Sequence, residues 1–146
     1  MREEFMSIAL EQAKLAYKKD EVPIGAVIVK DGKVIAKAYN KRQRKKSAIA
    51  HAEVLAIEKA CKKIKDWRLS DYEMYVTLEP CPMCAGAIVN ARIKKVYFGA
   101  YEKTSKSDLL NLIVQDKRLN HTLEIEGGVL EEECALLLKS YFKEKI

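Results

Sequence analysis

Four residues in two short pieces have the types and spacing to do chemistry: His51 and Glu53 in His51-Ala52-Glu53, and Cys81 and Cys84 in Glu79-Pro80-Cys81-Pro82-Met83-Cys84. One imidazole and two thiols form a donor set that suits Zn²⁺, and three protein ligands leave a fourth tetrahedral position for water. An open position points to catalysis. Zinc lowers the pKa of such a water to about 7, which supplies hydroxide as a nucleophile at neutral pH. Glu53, two residues after the histidine, is of the right type to move protons on that water and on a leaving group. A lone Cys-x-x-Cys is most often a structural zinc or redox element, and a lone histidine most often a surface or core residue. The joint presence of His51, Glu53 and Pro80 favours the catalytic reading over both.

Thirty positions separate the two pieces, so the fold must bring them together. After Ser47 the chain is apolar at helical spacing through Ala50, Val54, Leu55, Ile57, Ala60, Cys61 and Ile64, which predicts a helix with His51 and Glu53 in its first turn. Tyr72 to Leu78 has the aromatic and β-branched content of a strand, Glu79-Pro80 stops it, and Cys81 and Cys84 open a further helix one turn apart on the same face. Two helix N-termini facing each other at the ends of strands would place all three donors around one ion, and their positive dipole ends favour thiolate over thiol.

The rest of the chain supplies a frame. An amphipathic helix is expected from Arg2 to about Lys19. A strand over 24–29 then leads through the hairpin signal Asp31-Gly32 into a second strand, Lys33 to about Tyr39. Lys95 to Gly99 predicts a fourth strand, 101–108 an exposed loop, 109–115 a short helix, Leu123 to Glu126 a weak fifth strand, and Leu130 to Lys143 a closing helix. The order α-β-β-α-β-α-β-α-β-α predicts one α/β domain over 1–146. In it a five-stranded mixed sheet lies between two layers of helices, because strand-helix-strand crossovers make parallel pairs.

At 146 residues and 49% hydrophobic the chain suits one domain that buries most of its apolar surface. Charges in Met1-Arg2-Glu3-Glu4-Phe5 stand where a secretory signal needs an apolar core, and no apolar run approaches the roughly 20 residues of a membrane span. A cytoplasmic protein without a membrane partner is expected, with its cysteines serving metal rather than disulfides. Cys61 and Cys134, on apolar stripes, are expected in the core, and His121 as a hydrogen-bonded turn residue. A net charge of +6 attracts polyanions. Five of the six residues from Lys41 to Lys46 are basic, so Lys41, Arg42, Arg44, Lys45 and Lys46 are candidate phosphate contacts on a loop.

The combination H-x-E with a later P-C-x-x-C is the signature of the zinc nucleobase deaminases. Beyond that motif, the chain resembles the bacterial tRNA-specific adenosine deaminases of the cytidine deaminase-like superfamily. The likeness runs through Glu21-Val22-Pro23-Ile24-Gly25-Ala26, Asn40, Ala50-His51-Ala52-Glu53, Trp67-Arg68-Leu69, Tyr75 to Cys81, Cys84-Ala85-Gly86-Ala87-Ile88, Asn120-His121 and Tyr141-Phe142-Lys143. The resemblance implies a cytidine deaminase-like fold and one Zn²⁺ per subunit on His51, Cys81 and Cys84, with Glu53 as proton shuttle. The reaction it implies is hydrolytic conversion of adenosine to inosine at the tRNA wobble position, by attack of zinc-bound hydroxide on C6 with release of ammonia. It also implies Asn40 and Ile24 as nucleoside contacts, the Ala52 backbone near the base, and a homodimer whose tRNA anticodon-loop site spans both subunits. Glu102, Lys103, Tyr141, Phe142 and Lys143 are further candidate nucleic-acid contacts. Two alternatives stand beside this. Cys-Pro-Met-Cys also resembles the free-base guanine deaminases, as the glycine-free segment 101–108 would suit. A zinc-stabilised nucleic-acid-binding module without catalysis would need a fourth protein ligand.

Overall fold

A computed structural model describes residues 2–102 and 108–145. In chain order the elements are α1 (Arg2–Lys18), β1 (Gly25–Lys30), β2 (Lys33–Tyr39), α2 (Arg42–Lys45), α3 (Ala52–Ile64), β3 (Glu73–Leu78), α4 (Pro82–Asn90), β4 (Lys95–Ala100), α5 (Leu109–Val114), β5 (Glu124–Glu126) and α6 (Glu131–Glu144). The five strands form one sheet in the order β2-β1-β3-β4-β5. β1 runs antiparallel to β2 and β3, whereas β3, β4 and β5 are mutually parallel through the helical crossovers α4 and α5. The sheet is therefore mixed, as expected. The β1–β2 hairpin turns through Asp31 at φ 50° and Gly32 at φ 76°, the paired positive φ values of a type I′ turn.

Strand alternation sorts the side chains into two cores. Ala26, Ile28, Met74, Val76, Val96 and Phe98 face α3, α4 and α5. Val27, Val29, Tyr75 and Tyr97 face α1 and α6, where Phe5, Met6, Ala9, Leu10 and Cys134 meet them. The Tyr75 and Tyr97 rings stack at 4.5 Å. Gly25 lets α1 lie directly on the sheet, since a Cβ there would stand 2.0 Å from the Ala9 carbonyl oxygen. Cys134 belongs to the core at 1% exposure. Cys61 departs from expectation in being only half-buried, at the rim of α3. The His121 Nε2–H donates to the Ile93 carbonyl at 2.8 Å.

The basic stretch 41–46, expected as a loop, contains the single turn α2. The cause lies upstream. Glu21 is 2% exposed, and its carboxylate accepts the N–H groups of Gln43 at 3.1 Å and Arg44 at 2.8 Å. A carboxylate is thus delivered to the unpaired donors of a helix start, and Lys46 at φ 49° closes the turn.

Candidate metal centre and its cavity

β3 and β4 end side by side, joined beyond the strands by the Glu79 N–H to the Ala100 carbonyl at 2.9 Å. Open α/β sheets hold their ligands outside these carboxyl ends. Here α3 and α4 both begin. His51 is the N-cap of α3 and Cys81 the N-cap of α4, each with extended backbone and neither using its side chain as a cap. Their donor atoms are therefore left for other work. Pro82 occupies the first turn of α4, where its missing N–H costs nothing, and buried Cys84 follows one turn after Cys81. The boundaries place His51 and Cys81 one position outside the helices, against the expected first turns.

His51 Nδ1 lies 3.7 Å from Cys81 Sγ and 3.5 Å from Cys84 Sγ. All three donor atoms fall within 4.8 Å of one another, a group able to hold a metal ion. Hydrogen bonds from Cys84 and His51 hold the Cys81 thiol down to about 3, so it is the thiolate of the pair. The bond to Cys81, then burial, pushes the Cys84 thiol up. The bond to Cys81 also raises His51. Glu53, the second residue of α3, is 4% exposed, and burial pushes its carboxyl up to about 7.

His51, Glu53 and Cys81 open onto a cavity of about 360 Å³, walled also by Ile24, Leu78, Glu79, Pro82 and Leu110. This size lies within the range of small-molecule sites. Ile24 thus stands where a nucleoside contact was expected. Asn40 and Ala52 are buried and lie outside the cavity lining. Their role is visible nonetheless: Asn40 Oδ1 accepts the Ala52 N–H at 2.8 Å, and the Asn40 N–H donates to the Ile24 carbonyl at 3.1 Å. Glu79, absent from the sequence candidates, lines the cavity, and its Oε1 accepts the Glu102 N–H at 2.9 Å.

A neighbouring cavity of about 680 Å³ shares Leu78 and Glu102 with the first. It gathers Arg42, Phe142 and Lys143, three of the candidate nucleic-acid contacts, together with Tyr101 and Lys139, which no motif had marked. Tyr141, also a candidate nucleic-acid contact, is placed differently from Phe142 and Lys143. At 8% exposure it faces inward, its hydroxyl donating to the Asp20 carbonyl at 3.2 Å and its ring edge-on to Tyr17. Lys41 and Lys45 line a third groove, described below, while Arg44 and Lys46 are exposed. Lys103 lies outside the described residues.

The MafB19-like deaminase family model matches residues 1–134. The tRNA-specific adenosine deaminase of Bacillus subtilis (strain 168) is 50% identical over 141 residues, covering 96% of this chain and 88% of its own. The chain belongs to this deaminase family. Among solved structures, one from studies of A-to-I editing by tRNA:A34 deaminases at the wobble position superposes with a TM-score of 0.86. It is 40% identical and covers 92% of this chain and 99% of its own. The guanine deaminase of Bacillus subtilis superposes with a TM-score of 0.65 at 44% identity, over 68% of this chain and 64% of its own.

Proposed function

We propose that the protein is a zinc-dependent hydrolase that deaminates adenosine to inosine at the wobble position of tRNA. The observation that carries the substrate is half-identity to a tRNA-specific adenosine deaminase along 96% of this chain. The guanine deaminase likeness, which favours a free-base substrate instead, extends over only 68%.

His51, Cys81 and Cys84 fit zinc. Tetrahedral bonds of about 2.3 Å to sulfur and 2.05 Å to nitrogen place those donors about 3.6 Å apart, and the observed separations are 3.5 and 3.7 Å. Bound there, zinc supplies a water of pKa about 7 and leaves one coordination position for it. The chain's own residues do the rest. Glu53 takes the proton of the attacking water, delivers it to the purine ring nitrogen N1, and passes the next to the leaving amine. The C6–O bond forms as the C6–N1 double bond gives its π electrons to N1, which takes the proton. The exocyclic C6–N bond then breaks as its nitrogen is protonated, C6 becomes a carbonyl and ammonia departs. Ile24, Leu78 and Leu110 give the base apolar walls. Arg42, Phe142 and Lys143 in the adjoining cavity suit phosphates and unstacked bases of the anticodon loop.

The acting unit is a homodimer in the cytoplasm. Exposed Ile49, Met83, Leu109 and Leu112 lie beside the metal ligands and cavity in sequence or space, which supports a partner subunit near the site. No described helix is long and apolar enough to cross a membrane. An ammonia-release assay offering an anticodon stem-loop, adenosine and guanine separately tests the substrate. The stem-loop is the expected substrate; release from guanine alone overturns the tRNA reading.

A further inference from the structure

On the flank of α3, away from the metal cavity, lies a groove of about 860 Å³ whose walls carry Lys41, Lys45, Lys59, Lys62, Lys65 and Arg68. Only Glu58 and Asp66 oppose these six cations in the lining, and Asp66 is paired with Arg68 at 3.4 Å. None of the five lysines forms an ion pair with a described carboxylate. Two are already held in place: Lys59 Nζ donates to the Lys37 carbonyl at 2.9 Å, and Lys41 Nζ sits 4.9 Å above the Tyr39 ring. At the mouth stands Trp67, 51% exposed, with the Arg68 and Arg92 guanidinium carbons 4.8 and 5.3 Å from its ring centroid.

We propose that this groove binds the phosphodiester backbone of RNA, as a docking site for the part of the tRNA that does not enter the metal cavity. Unneutralised cations in a concave wall match a chain of phosphates, and a half-exposed indole with guanidinium groups over its ring adds an amphipathic, cationic contact for a ribose or an unpaired base. From His51 to Lys62 the α3 axis rises about 16 Å, so one RNA can span both places. Burial first, then repulsion from Lys41, Lys45 and Lys37, pushes the Lys59 ammonium below its usual range, and phosphates would offset the repulsive part.

The inference rests on the tRNA reading and is tested with zinc-loaded full-length protein carrying Lys62→Gln and Lys65→Asn. Asn suits the positive φ of 59° at position 65. Binding of an unmodified tRNA transcript is measured from about 0.05 to 0.3 M salt, with kcat at saturating tRNA and sedimentation alongside. The expected result is affinity lower by about an order of magnitude near physiological salt and a log K against log salt slope shallower by between one and two. Zinc content, kcat and sedimentation should stay unchanged. Wild type active on tRNA with an unaltered slope in the variant overturns the groove alone. So does a changed sedimentation state with an unaltered slope, since that marks a protein interface. Wild type that neither binds nor deaminates tRNA overturns the groove together with the tRNA reading.

Discussion

Asn40 Oδ1 accepts the Ala52 N–H at 2.8 Å, tying the end of β2 to the first turn of α3 between His51, the proposed metal ligand, and Glu53, the proposed proton carrier. Ala52 is fully buried, so water has no access to that N–H if the acceptor is removed. Asn40→Ala should cost about 1–3 kcal/mol of stability and lower activity through a displaced Glu53, with zinc still bound. Asn40→Asp keeps the acceptor oxygen and should lose much less. Urea unfolding and zinc content on both variants check this.

Glu21 makes a related prediction for α2. Its carboxylate substitutes for a capping side chain that Lys41 does not supply. Glu21→Ala should destabilise the protein by about 0.5–2 kcal/mol and speed amide exchange at Gln43 and Arg44. Glu21→Gln, which keeps an acceptor, should fall between.

Metal removal should expose one reactive thiol. Cys81 is held down to about 3 and is partly exposed, whereas Cys84 is pushed up and Cys134 is pushed up to about 12 in the core. Burial also raises half-buried Cys61. In chelator-treated protein at pH 6, iodoacetamide should label Cys81 first, and added zinc should suppress that labelling. Peptide mapping by mass spectrometry gives the order, and preferential labelling of Cys61 would contradict it.

Phe142 is 50% exposed at the cavity that adjoins the metal site. Stacking of an RNA base there predicts that Phe142→Ala weakens anticodon stem-loop binding by about 1–3 kcal/mol without altering zinc content. Tyr141→Phe, which touches only the bond to Asp20 inside the protein, should leave RNA affinity unchanged.

The candidate metal site was readable from sequence because its residues follow local rules: the donor types, the one-turn spacing of Cys81 and Cys84, and the strand stop at Glu79-Pro80 just before α4. The mixed character of the sheet followed from the geometry of strand-helix-strand crossovers in the same way. What sequence did not disclose depends on long-range partners. α2 forms because Glu21, some twenty residues upstream, caps it. Tyr141 points inward because α1 ends beneath it, though its spacing suits an exposed tail equally well. Glu79, Tyr101 and Lys139 reach the cavities only through the pairing of β3 with β4 and the packing of α6. The basic groove likewise joins segments around 41–45, 58–62 and 65–68 that no single motif spans.

Buried Glu53 is expected to move protons for adenosine hydrolysis beside a metal held by His51, Cys81 and Cys84. The most direct measurement is inosine formation in an anticodon stem-loop by wild type and by Glu53→Ala, with zinc quantified in both. Wild type should convert the wobble adenosine, and the variant should lose about 10²–10⁴-fold in rate while retaining one zinc per chain. A zinc-loaded wild type inert on the stem-loop, or a Glu53→Ala protein that remains active, would contradict it.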